Sequence, residues 1–271
     1  TLCWHGNCGL AVGLSRSGEN LRLVWLVVSV TLLVGGRALA EAPISSGRER
    51  LDAFLLEEDF QKYRAGEFPT RWKVRGSDAL ARNVYRVAQE GDNKFLRAYA
   101  VNQDVQIGLE YDFEPKEYPV LRWRWRATRL PVGANERNKK TNDSGAAVYV
   151  VFDSRIIPRA IKYVWSTTLP VGSRFDSPVY WRAKVVVLQQ GPAKPGEWIQ
   201  ETVNFYRDYK ELFVFDPGNV KAIAILSDSD TMSDVAEAAY DDFVLLPESA
   251  LDVSKENVLS APKGATVRTG N

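Results

Sequence analysis

The sequence predicts an all-β protein, a single jelly-roll β-sandwich with one short helix, spanning residues 54–247. Three observations predict it. The apolar residues of this region recur mostly with period two in short runs, the pattern of half-buried strands. Turn residues separate the runs, and nine such runs in sequence fit a sandwich better than alternating strands and helices. The chain has 271 residues, 45% hydrophobic and 25% charged, enough apolar material for an ordinary packed core and unlike a disordered or fibrous chain.

The elements follow in chain order. Residues 1–20 show no periodicity and read as an upstream extension. In residues 21–40, Arg22 precedes an apolar run of 12 residues, 23–34, which breaks at Gly35-Gly36 and reaches Ala38-Leu39-Ala40. This is the order of a signal peptide, and the run is shorter than the roughly 20 residues that span a bilayer. The expectation is cleavage after Ala40, a periplasmic or secreted protein, and no stable membrane span. Residues 41–53 read as a linker. The clearest strands are 97–101, 105–113, 120–127, 147–153, 163–168, 183–189, 198–204, 220–226 and 238–246. Between the seventh and eighth, Tyr206, Tyr209 and Phe213 share one helical face, predicting the helix at 206–213. Residues 131–145 and 191–196 read as linker-like loops. After Pro247 the chain turns polar and small, so 248–271 is expected to be a disordered tail.

Charge and cysteine content exclude several functions. Lysine plus arginine is 35 against 34 acidic residues, which argues against a nucleic-acid partner bound through net charge. Both cysteines, Cys3 and Cys8, and the single histidine, His5, precede the expected cleavage point. The exported domain then has no disulfide, none of the usual zinc, copper or haem ligands, and no Cys-His or Ser-His-Asp catalysis. No Gly-rich phosphate loop or G-x-S-x-G elbow is present. Carboxylate chemistry, hard-cation binding and ligand binding without chemistry remain.

Four constellations carry candidate function. In 121–126, Leu121, Trp123 and Trp125 alternate with Arg122, Arg124 and Arg126, so one face is core and the other a row of guanidiniums. Such a row repels itself unless acids or an anionic ligand group face it, and Asp112 and Glu114 are the expected structural partners. Trp181 and Trp198 sit beside turn signals and are the candidate rim platforms on which sugar rings stack. Among the acids, Asp228 and Asp230 lack the spacing and glycine of an EF-hand loop. If the first and last strands lie side by side, Glu58 or Asp59 meets Asp241 or Asp242, offering oxygen ligands to a structural calcium ion. A glycosidase needs two carboxylates about 5–10 Å apart, and Asp153, Asp176, Glu197, Glu201, Asp228 and Asp230 all qualify by type.

Two resemblances add to this. Glu58-Asp59-Phe60, Phe68-Pro69-Thr70-Arg71-Trp72 and Tyr240-Asp241-Asp242-Phe243 resemble the first and last strands of galactose-binding-like jelly rolls, which include many carbohydrate-binding modules. That resemblance implies Glu58, Asp59 and Asp242 as calcium ligands. The blocks Leu121-Arg-Trp-Arg-Trp125, Glu136-Arg137 to Asp143, Val148-Tyr-Val-Val-Phe-Asp153, Tyr163-Val-Trp165 with Leu169-Pro-Val-Gly172, and Ile225-Leu-Ser-Asp-Ser-Asp230 resemble, in order, the bacterial exported family called domain of unknown function 3047. The resemblance covers about 54–247 and implies a fold and a compartment but no reaction. One departure is Ala147, where the family's arginine is expected.

These readings favour a non-catalytic binding module for a glycan or other polar envelope ligand, with Trp181, Trp198, Arg122, Arg124, Asp153 and Asp228 as binding residues. The alternatives are a carboxylate-dependent glycosidase or polysaccharide lyase, and an envelope module that binds a protein partner by strand addition at a sheet edge.

Overall fold

Strand pairing divides the chain into two sheets. The computed structural model describes residues 54–153, 156–191 and 197–251. The extension, signal peptide and linker expected over 1–53, residues 192–196 of the second loop, and 252–271 of the expected tail lie outside the described residues.

The strands are β1 (Leu56–Glu58), β2 (Trp72–Arg75), β3 (Tyr85–Glu90), β4 (Asn93–Val101), β5 (Asp104–Phe113), β6 (Val120–Arg129), β7 (Ala146–Phe152), β8 (Arg159–Ser166), β9 (Arg174–Asp176), β10 (Ala183–Gln190), β11 (Ile199–Asn204), β12 (Val220–Asp228) and β13 (Val235–Leu246). One sheet runs β11-β6-β13-β4-β3 with β1 added beside β13, and the other runs β2-β5-β12-β7-β8-β10-β9. All nine strands read from periodicity are present, with shifted ends. The four that periodicity missed, β1, β2, β3 and β9, have three to six residues, too few for alternation to register.

The pair β8–β10 is parallel and every other pair antiparallel. A parallel pair needs a crossover connection, and residues 167–182 supply it while contributing β9. Among the described residues there are two α-helices rather than one. α1 (Asp78–Val84) is capped by Ser77, whose side chain accepts from the Leu80 N–H, and buries only Ala81 and Val84, so its apolar stripe is too short to read. α2 (Phe205–Phe213) coincides with the expected helix. Asn204 caps it, its side-chain oxygen accepting from the Arg207 N–H at 2.9 Å, and Val214 ends it in a left-handed turn, φ 64°. No helix among the described residues is long and apolar enough to cross a membrane.

Between the sheets lies the main core. Leu121, Trp123 and Trp125 point inward, as their alternation predicts, and are fully buried. Trp123 meets Tyr163 of the facing sheet at 5.9 Å between ring centroids, and Trp125 meets Trp165 at 5.7 Å. The seven-stranded sheet also has a second, smaller apolar cluster on its opposite face, formed by Ala147, Val164, Leu169, Val185, Val187 and Leu226. Its central strands are therefore buried on both faces, which places the loop at 130–145 and the crossover against that outer face. Thr167 and Thr168 hydroxyls donate to the carbonyls of Pro131 and Ala134 at 3.0 and 2.7 Å, tying loop to crossover. Residues 131–145 are thus a structured element, with a 3-10 turn at Lys139–Thr141, and not a linker.

Candidate functional site

Strand register builds a polar cluster on the outer face of the seven-stranded sheet. Asp228, the last residue of β12, is paired with Asp104, the first of β5. Two positions back, Leu226 is flanked by Gln106 and Ala147, and Ala224 lies beside Tyr149. Tyr149 pairs with Lys162 of β8. Because side chains alternate faces every residue, Asp104, Gln106, Tyr149, Lys162 and Asp228 all project to the same side. The 130–145 loop brings Glu136 and Asp143 to this side, and the turn after β12 brings Asp230.

Hydrogen bonds fix the frame. Asp143 accepts from the Thr231 N–H through Oδ1 (3.0 Å) and from the Met232 N–H through Oδ2 (2.8 Å). The Asp228 N–H donates to the Ser144 carbonyl at 3.1 Å. Glu136, fully buried, accepts from the Ser166 hydroxyl at 2.6 Å. A Cβ on Gly145 would lie 2.7 Å from Leu130 Cδ2 and 3.1 Å from Pro131 Cδ, so glycine lets the two ends of the loop pass closely. Carboxylate oxygens of Asp143, Asp228 and Asp230 lie within 4.8 Å of one another.

Glu136 Oε1 has no hydrogen-bond partner, and neither has Oδ1 of Asp228, which is buried as well. No ion pair within 4.0 Å joins Asp228 to Lys162 among the described residues, although the Lys162 charge acts on it. Burial pushes its carboxyl up to about 8; Lys162 opposes this, while Asp104, Asp143 and Asp230 reinforce it. Burial lowers the Lys162 ammonium, but Tyr149, Asp228 and Glu136 outweigh burial and hold it above its ordinary value. Burial likewise raises Glu136 and Tyr149. Arg75 on β2 donates to Gln106 at 2.9 Å.

The structure separates the residues that sequence reading grouped. Only Asp228 lies in this cluster. Arg122, Arg124 and Trp198 lie on the outer face of the six-stranded sheet. There Arg124 pairs with Asp241 at 2.6 Å and Asp242 at 2.8 Å, Arg126 pairs with Glu90, and Arg122 makes no ion pair within 4.0 Å among the described residues. The acids facing the arginine row are thus Asp241, Asp242 and Glu90. The expected partners, Asp112 and Glu114, do not face it, because β5 belongs to the other sheet, where Asp112 holds Lys221 at 2.6 Å and Asn219 at 2.8 Å. The Trp198 ring, partly exposed, has the Arg124 and Arg126 guanidiniums at 4.9 and 4.8 Å and meets Phe95 in a T-shaped contact. Trp181 is 70% exposed, with Arg182 at 4.9 Å. Asp153 follows β7, 3.6 Å from Lys221, and lines a cavity of about 460 Å³ with Arg159, Tyr209 and Phe215.

The first and last strands do lie side by side, Glu58 opposite Phe243. Their carboxylates meet protein donors in part. Glu58 Oε2 accepts from Lys62, Tyr63 and Arg71 at 3.1, 3.3 and 3.4 Å, while its Oε1 is buried with no hydrogen-bond partner. Asp59 accepts from the Gln61 N–H at 3.0 Å, and Asp242 pairs with Arg124. The residues that sequence reading missed are Lys162, Tyr149, Glu136, Asp143 and Asp104. One signal was available: Lys162 is a lone charge inside Ala160-Ile-Lys-Tyr-Val-Trp165, a run that otherwise reads as fully buried.

No curated protein matches the chain. Among solved structures it is similar to a carbohydrate-binding module studied for specific mannan recognition, TmCBM27, at 11% identity and TM-score 0.33, covering 71% of this chain and 96% of that one. It is also similar to a beta-1,2-glucanase from Parabacteroides distasonis (12% identity, TM-score 0.31, 65% of this chain and 22% of that one). A third is a loop-swap mutant of Xyn11A from Necallimastix patriciarum (10% identity, TM-score 0.31, 64% and 90%). A family model described as protein of unknown function (DUF3047) matches residues 70–244, in agreement with the blocks read from the sequence, and the chain belongs to that family.

Proposed function

We propose that the protein is an exported binding module that holds a neutral, hydroxyl-rich ligand, a glycan, on the outer face of the seven-stranded sheet around Asp228. The observation that carries this reading is the buried Asp228 carboxylate whose Oδ1 has no partner. A buried polar atom left unpaired costs about 1–3 kcal/mol, a cost that a bound ligand's donor would remove. Sugar hydroxyls donate to carboxylates and accept from guanidinium groups, and the face exposes both in Asp104, Asp230 and Arg75, with Lys162 buried among them. The excess of carboxylates over cations around Asp228 disfavours an anionic polymer. Export, expected from residues 21–40, would place the face among periplasmic or extracellular glycans.

Calorimetry against a panel of soluble neutral glycans tests the reading. Asp228→Ala and Lys162→Met, checked for folding by circular dichroism, are expected to lose binding, while Trp198→Ala and Arg124→Ala keep it. Equal affinity in Asp228→Ala would sink the assignment.

A second reading, glycoside hydrolysis, is favoured by one observation. Asp228 holds its proton at neutral pH, as a general acid must, with the Asp230 carboxylate within 4.8 Å. Release of reducing ends that stops in Asp228→Asn, with binding retained, would replace the binding-module reading by this one.

A further inference from the structure

We infer that Asp143, Asp228 and Asp230 together bind a divalent hard cation, with calcium the best fit. The site is distinct from the expected clasp between first and last strands, where Glu58 Oε2 pairs with Lys62 and Arg71 and Asp242 pairs with Arg124.

The distances carry the first part of the argument. Oxygens that share a calcium ion sit 2.3–2.6 Å from it, so any two are at most about 5 Å apart. The three carboxylates each place an oxygen within 4.8 Å of the others, inside the spacing that a shared ion requires. Acidic clusters of this kind also occur without an ion, and the second observation is what points to a ligand. Asp228 is 5% exposed and its Oδ1 is buried with no hydrogen-bond donor. Lys162, whose charge acts on Asp228 from the same face, stays beyond ion-pair distance, so the protein's own ammonium does not fill the position.

The frame is organised before any ion arrives. Asp143 is oriented by the Thr231 and Met232 N–H groups, yet each of its oxygens keeps a lone pair for coordination. Asp228 and Ser229 are pinned through their N–H groups to the carbonyls of Ser144 and Gln103, at 3.1 and 3.0 Å. Asp230 is exposed and gives the ion its route in and its remaining water ligands. Every candidate ligand is an oxygen, and the described residues contain neither histidine nor cysteine, which selects calcium or magnesium over zinc or copper. The loose, partly exposed set suits calcium, since magnesium demands a tight octahedron.

The inference concerns the same site as the proposed glycan binding but not that reading, because the ion is expected to bind without sugar. The test is calorimetric titration of the chelator-treated full chain with calcium chloride, then magnesium chloride, at constant ionic strength. The expected result is saturable one-to-one binding of calcium, tighter than magnesium. Asp230→Asn, an exposed change that leaves the fold intact, should weaken it at least about tenfold, since affinity follows the charge of the ligand set. Asp153→Asn, an exposed carboxylate outside the cluster, should leave it unchanged. Absence of calcium heat up to millimolar concentration, or equal affinity in Asp230→Asn and the parent, would overturn the inference. Glycan binding that fails while calcium binding persists would sink the function reading alone, and the reverse outcome would sink the cation site alone.

Discussion

Replacing Asp228 by asparagine removes one ionisable group and keeps the side chain's size, which makes the variant a probe of what the buried carboxylate does to the fold. In the native state its carboxyl is held up to about 8, against an ordinary value of 3.8, first by burial. The native state therefore binds this proton more tightly than the unfolded chain does. By linkage, its contribution is fully present below about pH 4 and is lost as pH rises toward 8. Four pH units at about 1.4 kcal/mol each set a ceiling near 6 kcal/mol. Water entry and relaxation around Asp230 and Asp104 reduce this to about 2–3 kcal/mol in practice. In a domain of this size that corresponds to roughly 5–10 °C in melting temperature. The assay is thermal unfolding of parent and Asp228→Asn in chelator from pH 4.5 to 9. The two are expected to melt closest together at pH 4.5, with the variant gaining on the parent progressively from there to about pH 8 and levelling off above it. Lys162 stays charged across this range, and the other raised carboxylates are common to both proteins. A melting difference that stays constant from pH 4.5 to 9 would refute the reasoning.

The same geometry sets three further outcomes. Lys162→Met leaves Asp228 and Glu136 without their compensating charge and should destabilise by about 3 kcal/mol at pH 8, less at pH 5; equal losses at both would show that packing and not charge is responsible. Asp143→Ala strips the Thr231 and Met232 N–H groups of their acceptor and should cost about 2–4 kcal/mol in chemical denaturation, whereas a loss below ~0.5 kcal/mol would mean the turn holds itself. Arg124→Ala leaves the buried Asp241 short of its cation and should cost about 3 kcal/mol. Arg122→Ala, with no ion pair to break among the described residues, should change stability by no more than about 0.5 kcal/mol, and similar losses in the two would remove the distinction.

Much of the fold was legible because strand periodicity is a local property. Trp123 and Trp125 had to share a face opposite Arg122, Arg124 and Arg126, and the need of that row for acids could be anticipated. Which acids could not, since Asp241 and Asp242 both reach Arg124 only because β13 bulges there. The bulge shifts its register against β6 and puts Asp242 at φ 52°. The candidate site was nearly invisible for a related reason. Asp104 and Asp228 become neighbours through the β5–β12 pairing, Lys162 joins through β7, and Glu136 and Asp143 arrive on a loop that reads as a linker. Apart from Lys162, lone in an apolar run, each residue by itself looks like an ordinary surface group.

The sequence by itself determined the features that depend on neighbours along the chain: short alternating strands, a two-sheet sandwich, the inward tryptophans, the helix before β12 and the want of soft metal ligands over the domain. Only the tertiary structure decided which strands pair and in what register, and hence that Arg124 and Arg126 stack on Trp198. It also decided that Glu58 Oε2 and Asp242 pair with protein cations, and that Asp228 Oδ1 is buried without a partner. Burial and charge coupling are properties of three-dimensional neighbourhoods, set by pairings between residues far apart in the chain.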